Sequence, residues 1–196
     1  MEEVQNYLIK TFEHFGDPRK RVFLGYIFLS IIIAFFWLII FKKFNFNQSL
    51  KKIFNKNILF SKSSKADVIL FLINRGFLMF LSPLLITQIA IATLIFKYLN
   101  SVEWLSEGMY ISFPKTIVVL FFTIFIFLLD DFTKYFVHRW MHKWPILWSL
   151  HKVHHSAETL TPMTIYRTHP LEGIVFTLRG SLTQGFSIAT FVFFFW

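Results

Sequence analysis

The chain has 196 residues, 55 % of them apolar, with 28 phenylalanines, seven histidines, no cysteine and a net charge of +9. Lack of cysteine excludes disulfides, thiolate zinc sites, iron–sulfur clusters and cysteine nucleophiles together, so any metal must be held by nitrogen or oxygen. The lysines and arginines flank long uncharged runs and form no single basic face, which predicts an all-α polytopic membrane protein whose charge meets anionic lipid headgroups and not nucleic acid.

Neither a break in composition nor an internal repeat divides the sequence, so residues 1–196 are read as a single membrane domain with about three to four transmembrane helices. Residues 1–21 mix acids and bases around an amphipathic pattern (Val4, Leu8, Phe12, Phe15) with no signal-peptide core, which predicts an N-terminal interfacial segment. His14 falls there and reads as a surface residue. Residues 22–41 are 20 positions without a charge, bracketed by Arg21 and Lys42, and match the length needed to span a bilayer. From Lys42 to Lys65 the sequence turns to Lys, Asn and Ser, yet Leu50, Ile53, Phe54 and Ile58 keep helical spacing, as a basic interfacial helix would.

Ser64 is the predicted N-cap of the following helix, in which Asn74 and Arg75 interrupt the apolar pattern before a second span at 77–96, kinked near its start by Pro83. A third span is predicted at 116–137. Residues 116–129 are apolar but too few, so the helix must continue through Asp130 and Asp131 and end by Pro145. The counts of Lys plus Arg are 4 before the first span, 8 from 42 to 75, 2 from 97 to 115 and 6 from 134 to 179. This bias puts the histidine-rich stretch in the cytoplasm. The last hydrophobic segment, 174–196, ends in an apolar run from Phe186 that is only about 16 Å long as a helix. That predicts either an interfacial lie or a chain that is C-terminally truncated.

Six of the seven histidines lie between His138 and His169. Asp131, Tyr135, His138 and His142 follow one another at helical spacing and fall within an arc of roughly 60°, which makes a polar stripe on an otherwise apolar helix. His138 and His142 are an i, i+4 pair able to meet at one metal ion. His151, His154 and His155 form HxxHH over an arc of about 100°, Pro145 lets the chain turn between the two sets, and His169 stands before a proline in a loop able to return. Neutral imidazole suits iron, copper, zinc and nickel, and six such donors exceed what one tetrahedral ion needs, so two metals are the economical reading. Asp131, Glu158 and Glu172 are candidates to orient imidazoles, Tyr135 is a candidate site residue, and Arg139 and Arg167 read as headgroup contacts as readily as site residues. Trp140, Trp144 and Trp148 set the cluster at the membrane–water interface.

The segments DFTKYFVHRWMH (Asp131 to His142), LWSLHKVHHSAE (Leu147 to Glu158) and YRTHPLE (Tyr166 to Glu172) resemble the histidine boxes of the fatty acid hydroxylase and sterol desaturase superfamily of integral-membrane di-iron enzymes. The resemblance implies a di-iron centre that uses dioxygen to hydroxylate or desaturate a lipid substrate, with electrons from a separate donor protein. It implies metal ligation by His138, His142, His151, His154, His155 and His169, with Asp131 supporting them. The family's usual third box is absent. Thr161 and Thr164-Ile165 stand where many members have Asn and Thr-Ala, which points to a bacterial branch and an inner-membrane location. The competing class is a non-redox membrane metal-binding or transport protein, which would spread ionisable residues along several spans.

Overall fold

The computed structural model describes every residue except 1–4, 6, 8, 10, 11, 14 and 82–84. Val4, Leu8, His14 and Pro83 therefore lie outside the described residues. Among those described, the regular elements are all helical: α1 Leu24–Ile40, α2 Phe46–Ile53, α3 Lys56–Leu59, α4 Lys62–Leu81, α5 Gln88–Asn100, α6 Lys115–Lys143, α7 Pro145–His151 and α8 Pro170–Phe195, with short 3₁₀ turns at His154–Ser156 and Pro162–Tyr166. They sort into two compact units, residues 1–80 with 152–170 and residues 81–151 with 171–196.

In the first unit, α1 covers 17 residues, about 26 Å, and buries none of its side chains. It turns into α2 through Lys43, which takes a positive φ of 52°. The predicted interfacial helix of residues 42–65 is divided in two because asparagines cap each half. Asn45 makes a capping box with Gln48, and Asn55 accepts the Asn57 N–H. The predicted cap of the next helix is corrected by one turn: α4 starts at Lys62, and the Ser61 hydroxyl accepts the Ser64 N–H at 3.0 Å. Ser64 thus donates its amide to the cap and is not the cap itself.

The second unit is built on α6, 29 residues or about 44 Å long, which contains the predicted span 116–137. Among the described residues it is the one helix long and apolar enough to cross a bilayer. Ile117, Leu120, Ile124 and Phe127 on it are exposed, as side chains facing lipid would be. The predicted span 77–96 is not one helix: α4 ends at Leu81, and Thr87 starts α5 by accepting the Ala90 N–H at 3.2 Å.

Helix α8 runs unbroken through 174–195 and packs antiparallel to α6, pairing Phe191 with Phe122 (5.2 Å between rings) and Thr183 with Thr133 (3.2 Å). Arg179 Nη1 donates to Asp130 Oδ1 at 2.7 Å and to Thr133 Oγ1 at 2.9 Å, so the two helices share a charge pair as well as an apolar seam. On its other side α8 approaches α5 closely at Gly185, where an added Cβ would stand 2.7 Å from Ile91 Cγ2 and 2.8 Å from the Gln88 carbonyl oxygen. Small residues allow this kind of close packing between apolar helices.

Candidate metal centre

The α6 sequence places His138 and His142 one turn apart, and the structure turns their rings together, with the two Nε2 atoms 3.2 Å apart. Trp144 then leaves helical geometry (φ −94°, ψ 124°), and Pro145, which cannot continue α6 but is favoured in a first turn, opens α7. The reversal carries His151, the last residue of α7, back onto the pair. Its ring centroid lies 4.7 Å from that of His138 and 4.8 Å from that of His142. One nitrogen from each of His138, His142 and His151 falls within 4.8 Å of the others, with His151 buried and the other two exposed. Three nitrogens on one ion at about 2.1 Å stand roughly 3.0–3.4 Å apart, so small ring rotations close the set.

A carboxylate fixes the third ring. His151 Nδ1 lies 2.8 Å from Glu172 Oε1, and both side chains are almost fully buried. An ionised carboxylate can only accept, an arrangement that favours the proton on Nδ1 and leaves Nε2 as the ring nitrogen able to bind a metal. Glu172 is in the first turn of α8, where the helix N-terminus favours its charge. Its second oxygen, Oε2, is buried and has no hydrogen-bond partner among the described residues. A buried anion of this kind calls for a nearby cation. Together with three imidazole donors it fits a metal of the iron, copper, zinc and nickel group.

Asp131 and Tyr135 do not join the triad. They line an open groove of about 540 Å³ with Phe125, Leu128, Leu129 and Phe132, and the Tyr135 hydroxyl accepts a 3.2 Å bond from Arg139 Nη1. The helical stripe that groups them with His138 and His142 is present, but they occupy its groove end. The adjacent Asp130 is the carboxylate with partners, Arg179 and Lys134. Glu172, one of three carboxylates considered from sequence, is the one found against an imidazole.

His154, His155 and His169 belong to the other unit. His154 and His155 stand in a 3₁₀ turn with ring centroids 5.3 Å apart, not in the α-helix that their spacing allowed. His169 follows Thr168, whose carbonyl accepts the Asn74 amide at 2.9 Å. Arg167 is corrected most plainly. It is 3 % exposed and no headgroup contact, and its guanidinium meets the fully buried Asp67 at 2.5 Å. Sequence reading missed Asp67. The signal was available in a lone acid placed within an apolar pattern, seven residues before Asn74.

The profile of the fatty acid hydroxylase family matches residues 123–196, the stretch that carries the triad, Glu172, His154, His155 and His169. Two curated relatives are similar over part of it. The Delta(7)-sterol 5(6)-desaturase of Eremothecium gossypii is 39 % identical over 56 residues, 28 % of this chain and 16 % of that protein. The Delta(7)-sterol 5(6)-desaturase of Gibberella zeae is 41 % identical over 59 residues, 30 % of this chain and 17 % of that protein. The similarity thus spans about a sixth of each relative's length. No solved structure matches the chain. Residues 123–196 are thus similar to the fatty acid hydroxylase family and, over part of that stretch, to two sterol desaturases.

Proposed function

We propose that this chain is the metal-binding part of a membrane-bound di-iron oxygenase that hydroxylates or desaturates a lipid, with dioxygen as co-substrate and a separate protein as electron donor. The observation that carries the reading is the convergence of His138, His142 and His151 with Glu172 behind His151. His154, His155 and His169 complete the proposed ligand set. Iron held there supplies the activation of dioxygen that attack on an unactivated C–H bond demands and that no side chain can provide.

The chain's own residues bind and orient. Glu172 holds the His151 ring in one tautomer, and the i, i+4 geometry of α6 holds the other two. The groove lined by Phe125, Leu128, Phe132 and Tyr135 meets the face of α6 that carries His138 and His142 at its Asp131 and Tyr135 edge, so a lipid chain lying in it reaches the histidine face there and excludes water. Asp131 and Tyr135 give the groove its polar edge and are proposed to orient the reacting part of the substrate. The bias of lysine and arginine puts the histidines on the cytoplasmic side of the membrane.

Purified in detergent and loaded with iron(II), the chain is expected to retain about two irons, and His151→Ala to retain about one fewer. With lipid, reductant and dioxygen, the product should be a hydroxylated or desaturated lipid. Failure to retain any iron sinks the reading. Stable metal binding with no dioxygen uptake in the presence of lipid and reductant favours the non-redox metal-binding class instead.

A further inference from the structure

Residues 152–170 carry three of the six clustered histidines but only two short 3₁₀ turns of regular structure. Such a segment has few backbone bonds of its own, and metal ligands need to be held to within about half an ångström. A stripe of α4 holds it, with Ser61 and Ser64 beside the stripe meeting the Thr159 hydroxyl at 3.0 and 3.4 Å. Ser63, Asp67, Phe71 and Asn74 follow at spacings of 4, 4 and 3, within an arc of about 80°. All four are engaged by the segment between the HxxHH histidines and His169.

Ser63 Oγ accepts the Glu158 N–H at 3.2 Å. Asp67 takes Arg167 Nε on one oxygen and the Thr164 hydroxyl on the other, the latter at 2.6 Å. The Phe71 ring packs on Tyr166 at 4.7 Å. Asn74 Nδ2 donates to the Thr168 carbonyl at 2.9 Å. Arg167 closes the arrangement, since its remaining nitrogens donate to the Ser63 carbonyl and, at 2.9 Å, to the carbonyl of Ser156, the last residue of the turn that holds His154 and His155. The guanidinium therefore joins the end of the histidine turn to α4, and Asn74 joins α4 to the residue before His169. Both ends of the segment are tied to one rigid helix, and each tie lies next to a histidine.

We propose that Asp67, Asn74 and Arg167 are positioning residues for His154, His155 and His169, acting as a buried polar clasp that preorganises these histidines for metal. Arginine suits this task because its planar fork reaches Asp67, Ser63 and Ser156 at once, which a lysine ammonium cannot do. Groups that orient ligands in this way are typically worth about 10–100-fold in metal affinity. The inference rests on the two-metal reading above.

The test is a cobalt(II) titration of the full chain in detergent, followed by calorimetry and by the visible absorption of bound cobalt. The variants are Arg167→Lys, which keeps the charge facing Asp67 but loses the fork, and Asn74→Ser, which loses one amide bond and leaves the ion pair intact. The expected result is two binding events in the original chain. One is weakened about tenfold or more in Arg167→Lys and by a smaller factor in Asn74→Ser, while the other event is unchanged. His151→Ala should weaken the opposite event. If Arg167→Lys fails to fold, Asn74→Ser carries the test alone. Two events unchanged in the folded variants overturn the clasp and leave the two-metal reading standing. Equal weakening of both events, in step with a lowered melting temperature, also overturns it, because the clasp would then serve only the fold. Fewer than two events in the original chain overturn the two-metal reading and the clasp together.

Discussion

Glu172 reaches the His151 ring from the first turn of α8, so the nitrogen facing the triad is set by a residue 21 positions away in sequence. Glu172→Gln keeps the shape but removes the charge that favours proton placement on Nδ1. Metal affinity at His138, His142 and His151 should fall by about 10–100-fold, read by titration with cobalt(II) or zinc(II), with little change in helical content. An unchanged affinity would show that the carboxylate serves packing alone.

The Asp67–Arg167 pair has a second, purely energetic signature. Removing one member of a fully buried ion pair leaves an uncompensated charge and costs about 3–5 kcal/mol, whereas replacing both with apolar residues of similar size is close to neutral. Asp67→Leu is therefore expected to lower the thermal midpoint sharply, and the double variant Asp67→Leu with Arg167→Met to recover most of the loss. A double variant as unstable as the single would contradict this.

Gly185 and Gly180 sit on the same helix and predict opposite outcomes. At Gly185 a methyl group meets the Gln88 backbone oxygen at 2.8 Å, which cannot rotate away, so Gly185→Ala must push α5 from α8 at a cost of about 1–3 kcal/mol. At Gly180 nothing lies within 4 Å, and Gly180→Ala should be neutral or stabilising by up to about 1 kcal/mol. Unfolding in detergent, followed by circular dichroism, distinguishes the pair.

Arg179 is the main partner of Asp130 across the α6–α8 seam, and Arg179→Met leaves Asp130 with Lys134 alone. A loss of about 2 kcal/mol is expected from the broken charge-assisted bonds. Adding Asp130→Asn to that variant should return part of it.

Burial pushes the Tyr166 phenol above its ordinary range, with Arg75 and Arg21 opposing the shift. A phenol that ionises later in the folded than in the unfolded state contributes stability below about pH 10, lost as pH rises through the folded value. Stability should decline above about pH 10, and Tyr166→Phe should flatten that part of the curve measured by chemical unfolding.

Much of the triad was legible from sequence because helical spacing alone groups His138 with His142, and a proline between the sets permits a reversal. Periodicity cannot give the sense of that reversal. It is set by the extended backbone at Trp144 and by Glu172, which the chain supplies from a distant helix. For the same reason Asp131 was favoured over Asp130: the stripe was found by angle, while Asp130 is engaged through Arg179 on another helix. The sequence leaves Arg167 open between a headgroup contact and a site residue since its partner Asp67 lies 100 residues away, and no local pattern announces a long-range ion pair. The run 77–96 looked continuous because hydropathy does not register a threonine cap such as Thr87.

Among the described residues the triad offers three imidazole nitrogens and no carboxylate, with Glu172 set behind the ring of His151. Such a donor set ranks first-row metals by their intrinsic appetite for nitrogen, and copper and nickel stand above iron in that order. The chain therefore has little chemical means at this cluster to refuse the wrong ion. Its occupancy will follow whichever metal the surroundings supply, so a preparation passed over immobilised nickel is expected to carry nickel away with it.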